Sequence, residues 1–259
     1  MRIRQLGSTI GSTDVRQYLT TYLINDSVAI DAGCLGLLSP VASQRSVKHL
    51  FLSHSHLDHL ATLPTFLDNV FQSGDDCPTI YASRDVWDCL HRDMFNDRLW
   101  PDLARLGKEG IQFYHEAELS SEVPVSAGGL TITPVTVDHT VSTLGFLIED
   151  EYSAVIIASD TGPTDRLWEV VENSPSRQKL RMVFLECSFP NDFEWLAEKS
   201  KHLCPKLFSI EIAKLSPTPP FQTVAVHLKA MLEESIRTEL EALQIPNLQI
   251  GGQDATWKV

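Results

Sequence analysis

The chain has 259 residues, and its 21 basic and 34 acidic residues give a formal net charge of −13 at pH 7. That charge argues against a broad contact with a nucleic-acid backbone, which would need clustered Lys and Arg, and no apolar run approaches the roughly 20 residues of a membrane span. The five cysteines are odd in number and form no C-x-x-C pair, which argues against a disulfide framework or a cysteine-rich zinc site.

The first half of the chain predicts strands followed by helices. Its N-terminal residues alternate in polarity like a first strand and lack the apolar centre of a signal peptide, so we expect a cytoplasmic protein. The predicted strands are residues 1–6, 17–24, 27–31 and 47–53. The predicted helices are residues 60–72 and 83–95. Residues 98–110 are predicted to be irregular because Trp100-Pro101 interrupts the pattern.

The second half repeats this mixture of strands and helices. The predicted strands are residues 123–126, 130–137, 144–149, 153–158, 182–186, 222–226 and 248–252. The predicted helices are residues 163–172, 191–200 and 205–215. Two β-rich halves flanked by helices predict an α+β fold, a β-sandwich covered on both faces, with residues 1–259 as a single domain.

The most informative segment is His54–His59, which has the pattern H-x-H-x-D-H and follows an apolar strand. Imidazole and carboxylate are ligands that zinc, iron and manganese accept. A tight loop at the end of a strand can aim alternate side chains at one point and leave the next pair for a second point. The spacing therefore predicts two adjacent metals, with His54 and His56 on one and Asp58 and His59 on the other.

Three more candidate ligands, His139, Asp160 and His227, each end an apolar run. Burying such a side chain without a partner would be costly, and a metal supplies a partner for all three. The simplest assembly divides the ligands between two metals, with His54, His56 and His139 on the first and Asp58, His59 and His227 on the second. Asp160 would bridge them, because a carboxylate has two oxygens and can neutralise two cations about 3.5 Å apart. A hydroxide between the metals would be the nucleophile.

Taken in order, this ligand set resembles that of the metallo-β-lactamase superfamily of di-metal hydrolases. The segment 29–33 is also similar to the start of that superfamily's fold. The resemblance implies the αββα four-layer sandwich of the metallo-β-lactamase type, and it implies that Asp31 supports the metal loop from outside the ligand set. The cofactors expected from these ligands are two divalent ions, with Zn²⁺ favoured and Mn²⁺ or Fe²⁺ as alternatives.

Two further segments indicate which family within this superfamily the chain resembles. Residues 185–191 and 201–205 resemble the class II 3′,5′-cyclic-nucleotide phosphodiesterases, which carry E-x-S-[FY]-P-N followed by G-H-L-T-P. The similarity extends from about residue 1 to residue 230. Four positions depart from the family pattern, and none of them is a predicted ligand: Thr62, Lys201, Cys204 and Ala230.

The same resemblance implies catalytic roles for Glu186 and His202, and we count Asp58 with them. Cleaving a cyclic phosphodiester expels an alkoxide, which needs a proton, and His202 would supply it as a general acid. Glu186 would hold His202 charged and oriented and raise its pKa. The alternatives are that His202 only ends a helix near Pro205 and that backbone donors satisfy Glu186.

The sequence therefore predicts a di-metal phosphodiesterase that hydrolyses cAMP or cGMP to the 5′-nucleotide, with a small cyclic nucleotide as its partner and no membrane. An RNase Z-like nuclease is one alternative, but the net charge and the absence of a Lys/Arg run count against it. A lactone or thioester hydrolase is another, although that chemistry has less need of Glu186 and His202. Superfamily members of this size are often homodimers, but no residue pattern here marks an interface.

Overall fold

A computed structural model describes residues 1–9, 17–72, 74 and 76–259. The strands in this part of the chain are β1 (Arg2–Gln5), β2 (Tyr22–Ile24), β3 (Val28–Ile30), β4 (His49–Phe51), β5 (Thr79–Ala82), β6 (His115–Glu118), β7 (Val125–Ala127), β8 (Leu130–Val137), β9 (Thr143–Glu149), β10 (Ala154–Ile157), β11 (Leu180–Glu186), β12 (Gln222–Val226), β13 (Leu248–Ile250) and β14 (Thr256–Lys258). The α-helices are α1 (Leu57–Leu60), α2 (Leu63–Val70), α3 (Arg84–Cys89), α4 (Leu103–Lys108), α5 (Arg166–Asn173), α6 (Glu194–Ser200), α7 (Pro205–Ile212) and α8 (Glu233–Ala242).

The strands form two mixed sheets of seven strands each. The first has the order β14-β1-β2-β3-β4-β5-β6, and its pairs are antiparallel from β14 to β3 and parallel from β3 to β6. The second has the order β13-β12-β11-β10-β9-β8-β7, and its pairs are antiparallel from β7 to β10 and parallel from β10 to β13. Each sheet therefore has one antiparallel half and one parallel half.

The pleat of each strand divides its side chains between two layers of core. In β3, Ile30 packs between the two sheets, while Ala29 faces the helices on the outside. Phe51 of β4 and Phe146 of β9 meet across the interface between the sheets, with ring centroids 6.1 Å apart. Burying a phenylalanine of this kind stabilises the fold by roughly 1.5–3 kcal/mol.

Helices cover the outer face of each sheet. Apolar side chains of α2, α3 and α4 pack on the first sheet, and those of α5, α7 and α8 pack on the second. The layers are therefore helix, sheet, sheet and helix, which confirms the predicted αββα sandwich. None of the helices in the described ranges is long and apolar enough to cross a lipid bilayer.

Several elements differ from the predicted ones. The helix predicted over residues 60–72 divides into α1 and α2 at Thr62, whose hydroxyl accepts a hydrogen bond from Gly36 and donates one to the Ala32 carbonyl. Helix α4 lies in the segment predicted to be irregular, and the Asp102 side chain caps its first turn by accepting a hydrogen bond from the Arg105 amide. The prediction also missed β5, β6, β14 and α8.

The carboxyl ends of several strands meet at one edge of the sandwich. Strands β3 and β4 are parallel, as are β10, β11 and β12, and β8 runs in the same direction as β10 because each is antiparallel to β9. The loops after these strands are the segments in which the candidate ligands lie. The topology therefore brings residues distant in sequence to a common site.

Candidate metal centre and active site

Every predicted ligand lies at or just after the end of a strand. His54 and His56 follow β4, and Asp58 and His59 lie in α1, which begins directly after that loop. His139 follows β8, Asp160 follows β10, and His227 follows β12. Three residues at these strand ends, Asp31, Ser159 and His227, have φ values between 59° and 61°. This left-handed conformation is costly for residues other than glycine, and such strain is concentrated at functional sites.

A close backbone approach holds the metal loop against the end of β3. The Asp58 carbonyl accepts a hydrogen bond of 2.8 Å from the Thr20 amide, and the His59 carbonyl accepts one of 2.8 Å from the Ala32 amide. A Cβ atom on Gly33 would lie 2.0 Å from that Asp58 carbonyl oxygen. Only glycine fits there, which explains in physical terms the glycine of the segment 29–33.

The seven predicted ligands form two overlapping clusters. The first ligand group is His54, His56, His139 and Asp160, and the second ligand group is Asp58, His59, Asp160 and His227. Within each group, one nitrogen or oxygen atom from every residue lies within 4.8 Å of the others. Asp160 belongs to both groups and is only 2% exposed.

The buried imidazoles provide a test of whether these groups suit metals. The Nε2 atoms of His54 and His59 are buried and have no hydrogen-bond partner. Both rings are fully buried, and leaving such an atom unpaired costs free energy. A cation between these nitrogens and the Asp160 carboxylate would satisfy them, and histidine with carboxylate is a donor set that zinc, manganese and iron accept. The residues therefore fit metal ions.

Asp31, which is buried, orients two of these histidines. Its Oδ2 atom lies 2.7 Å from Nδ1 of His59 and accepts a hydrogen bond of 2.8 Å from the Ser53 hydroxyl. The Ser53 oxygen in turn lies 2.9 Å from Nδ1 of His54. Since Nδ1 of each ring is engaged in this way, Nε2 points to the ligand groups. Asp31 supports the ligands from behind, as the resemblance implies.

A second buried carboxylate, Glu186, lies on the other side of the centre. Its Oε1 atom lies 2.5 Å from Nδ1 of His202, and its Oε2 atom accepts a hydrogen bond of 2.8 Å from the Ser188 hydroxyl. The backbone amides of Thr161, Ser188 and Leu203 also donate to this carboxylate. Glu186 therefore has backbone donors and a histidine partner at the same time.

His202 lies beside the second ligand group. Its ring stacks on that of His227, with centroids 5.6 Å apart and planes 16° apart, and its edge meets His139 at 4.9 Å. Burial disfavours a charged imidazole, but the Glu186 carboxylate outweighs burial and raises the pKa of His202 above its ordinary value. The ring is therefore poised to carry a proton next to the ligand groups.

The carboxylates of the centre are held ionised. Burial alone would raise the pKa of Asp58, but the His227 ring, whose Nε2 lies 3.1 Å from Oδ2, and the nearby His59 hold it below the usual range. Asp160 is likewise buried, and the neighbouring side chains of His227 and His59 lower its pKa. Ionised carboxylates are the form that binds a metal.

Two participants were not given a role from the sequence, Ser53 and Ser188. Both are fully buried, and each contacts a carboxylate and a histidine. Ser53 directly precedes His54, and Ser188 lies in the E-x-S segment, so the sequence already places both serines beside candidate site residues. Their roles depend on contacts with residues far away in sequence, which no local pattern reveals.

Sequence comparison shows that the chain is similar to cyclic-nucleotide phosphodiesterases. A family model described as cAMP phosphodiesterases class-II matches residues 37–244. A Yersinia pestis protein named as a probable 3′,5′-cyclic-nucleotide phosphodiesterase is 27% identical over 289 aligned residues, which cover 90% of this chain and 79% of that protein. The 3′,5′-cyclic-nucleotide phosphodiesterase of Schizosaccharomyces pombe is 23% identical, over 73% of this chain and 59% of its own.

Solved structures give the same fold. Unliganded yeast PDE1 superimposes with a TM-score of 0.77 at 17% identity, covering 96% of both chains. YhfI from Bacillus subtilis, a metallo-β-lactamase fold protein, superimposes with a TM-score of 0.74 at 17% identity, covering 99% of both chains. The sandwich is therefore of the metallo-β-lactamase type.

Proposed function

Because the chain belongs to the class-II cAMP phosphodiesterase family, we propose that it hydrolyses the 3′,5′-phosphodiester of cAMP or cGMP with two bound divalent metal ions. The observation that carries this proposal is the Glu186–His202 pair, held at 2.5 Å beside the two ligand groups. A reaction that expels an alkoxide needs a proton donor at this place, whereas hydrolysis of a lactone or thioester has less need of one.

In the proposed enzyme the first ligand group holds one metal, the second holds the other, and Asp160 is shared. Zinc is the favoured ion for these ligands, with manganese and iron(II) as alternatives. When bound, the ions would polarise the phosphoryl oxygens and make a water molecule nucleophilic near neutral pH.

His202 is the proposed general acid. Because Nδ1 faces Glu186, Nε2 is the ring nitrogen that remains to donate a proton. Its proton would go to the departing 3′ oxygen, so that the product is a 5′-nucleotide with a free 3′ hydroxyl. Glu186 keeps the imidazolium stable and oriented before the transfer, and Ser188 and the backbone amides keep Glu186 in place.

Asp58 is proposed to combine two functions. Its Oδ2 atom lies 3.1 Å from Nε2 of His227, another member of the second ligand group, and its side chain is 31% exposed. That partial exposure places a ligand carboxylate where the substrate and its attacking water would arrive. The role as a ligand and the role in catalysis would therefore be lost together in Asp58 variants.

The test is hydrolysis of a matched substrate panel by the zinc- or manganese-loaded protein: cAMP, cGMP, an aryl phosphodiester and a lactone. We expect turnover of at least one cyclic nucleotide, with loss of that turnover in Asp160→Ala. Asp138→Ala is the matched control, because Asp138 is a nearby carboxylate that pairs with Lys201 at the surface and is in neither ligand group. Turnover of the aryl diester alone would point to a nuclease or another diester, and turnover of the lactone alone would contradict the proposal.

A further inference from the structure

Two serines hold equivalent places around the two buried carboxylates. The Ser53 hydroxyl lies 2.8 Å from Asp31 Oδ2 and 2.9 Å from His54 Nδ1. The Ser188 hydroxyl lies 2.8 Å from Glu186 Oε2 and 2.9 Å from His227 Nδ1. Both serines are completely buried, so water does not substitute for these contacts.

The single proton of each hydroxyl fixes the direction of these hydrogen bonds. The Ser188 hydroxyl has one proton, and two oxygens lie within reach of it: Glu186 Oε2 at 2.8 Å and the His227 carbonyl at 3.2 Å. The carboxylate is both nearer and the stronger acceptor, so Ser188 donates to Glu186. Its oxygen must then accept a hydrogen bond from His227, which requires a proton on Nδ1 of that ring. A neutral imidazole with its proton on Nδ1 has its lone pair on Nε2. That atom is the one that faces Asp58, 3.1 Å away, within the second ligand group.

The two serines directly contact histidines of different ligand groups. Ser53 orients His54, which belongs to the first group, and Ser188 orients His227, which belongs to the second. Ser188 has a further connection, because its carboxylate partner Glu186 also holds His202. A single hydroxyl thus joins a ligand of the second group to the pair proposed to supply the proton.

We propose that Ser188 is a positioning residue that selects the metal-binding tautomer of His227 and fixes His227 relative to the Glu186–His202 pair. The role rests on the proposed two-metal site, and Ser53 has the corresponding role for His54. Hydrogen-bond partners that orient a metal-binding histidine typically contribute about 10–100-fold to metal affinity. Each serine should therefore control the affinity of one group and spare the other.

The experiment measures zinc affinity one group at a time by competition with a chromophoric chelator. His56→Ala removes a ligand of the first group only, and Asp58→Ala removes a ligand of the second group only. Adding Ser188→Ala to the His56→Ala protein should weaken zinc binding by about 10–100-fold. Adding it to the Asp58→Ala protein should change the affinity less than about threefold. Ser53→Ala is the matched control and should give the opposite ranking.

A second readout follows the tautomer directly. In the zinc-free protein, a long-range proton–nitrogen correlation spectrum should place the proton of neutral His227 on Nδ1, and Ser188→Ala should weaken this preference. Zinc-free protein is needed because zinc on Nε2 would hold the proton on Nδ1 in either protein. If Ser188→Ala does not fold, Ser188→Cys keeps a side chain of similar size with a much weaker hydrogen-bonding group and serves the same comparison. Equal losses at both groups, or no loss at either in a folded protein, would overturn the assignment. A failure to hydrolyse cyclic nucleotides would refute the proposed function without altering these zinc affinities.

Discussion

Oε1 of Glu186 lies 2.5 Å from Nδ1 of His202, so the carboxylate and the imidazole form a buried pair at the rim of the ligand groups. Both side chains are shielded from solvent, because Glu186 is 1% exposed and His202 is 7% exposed. Pairing of this kind favours the charged imidazole and fixes which ring nitrogen faces outward. In the proposed enzyme, this pair would supply the proton while the two ligand groups hold the metals.

His202→Ala should lower the turnover of cAMP or cGMP by about 10²–10⁴-fold, the usual contribution of a positioned general acid. Turnover of an aryl phosphodiester with a nitrophenolate leaving group should fall much less, because that group departs without a proton. The measurement is kcat for both substrates on metal-loaded protein, together with the metal content. If both substrates slow equally, or if the variant loses its metal, His202 is not a proton donor outside the ligand groups.

Glu186→Gln should move the alkaline limb of the pH–rate profile for cyclic-nucleotide hydrolysis to lower pH. Glu186 raises the pKa of His202, and a general acid must be protonated, so activity is lost as the pH rises through that pKa. Without the negative charge the pKa falls, and the loss begins at lower pH. The measurement is kcat against pH for both proteins, and an unchanged alkaline limb would show that Glu186 does not control this proton.

Lys201→Gly should raise the free energy of unfolding by about 0.5–1 kcal/mol. Lys201 ends α6 in the left-handed conformation, with φ of 52°, which costs a residue other than glycine roughly 1–2 kcal/mol. Its exposed ion pair with Asp138 returns at most about 1 kcal/mol. Lys201→Ala is the control for urea denaturation, because it removes the ion pair and keeps the strain, and it should not stabilise.

Glu211→Ala should destabilise the fold by about 1–3 kcal/mol, the cost of leaving a buried donor without its acceptor. The carboxylate of Glu211 is fully buried in α7, where it accepts a hydrogen bond of 2.7 Å from the Trp168 indole and pairs with Lys214 at 2.7 Å. Removing it leaves the Trp168 indole and the Thr164 amide, which also donates to this carboxylate, without their acceptor, whereas Lys214 keeps Asp165 as a partner. Urea denaturation measures the change. Glu194→Ala, which breaks the exposed pair with Lys206, is the control and should cost less than about 1 kcal/mol.

The sequence predicted those parts of the site that leave a local pattern. Four of the candidate ligands lie within the segment 54–59, and His139, Asp160 and His227 each end an apolar run, so the strands that carry them could be identified. Elements without a matching pattern were missed. Strand β6 has the sequence His-Glu-Ala-Glu, which is polar because it lies at the edge of its sheet.

The roles of Ser53 and Ser188 could not be predicted from a local sequence pattern. Ser53 and Asp31 are 22 residues apart, and Ser188 and His227 are 39 residues apart, so only the paired sheets bring them together. Helix α8 was missed for a different reason. Its initial residues Glu233 and Glu234 have the appearance of a solvated surface, although Ile236 and Leu240 pack into the core of the second sheet.

Each ligand group combines residues from both halves of the sandwich. His54 and His59 come from the first sheet's loops, while Asp160 and His227 come from those of the second. Neither half on its own has a complete set of donors for either ion. Metal loading and the docking of one sheet on the other would consequently be linked equilibria, and bound ions would add their binding free energy to the association of the two halves. Bound ions would therefore cross-link the two sheets at one edge of the sandwich in addition to their role in catalysis.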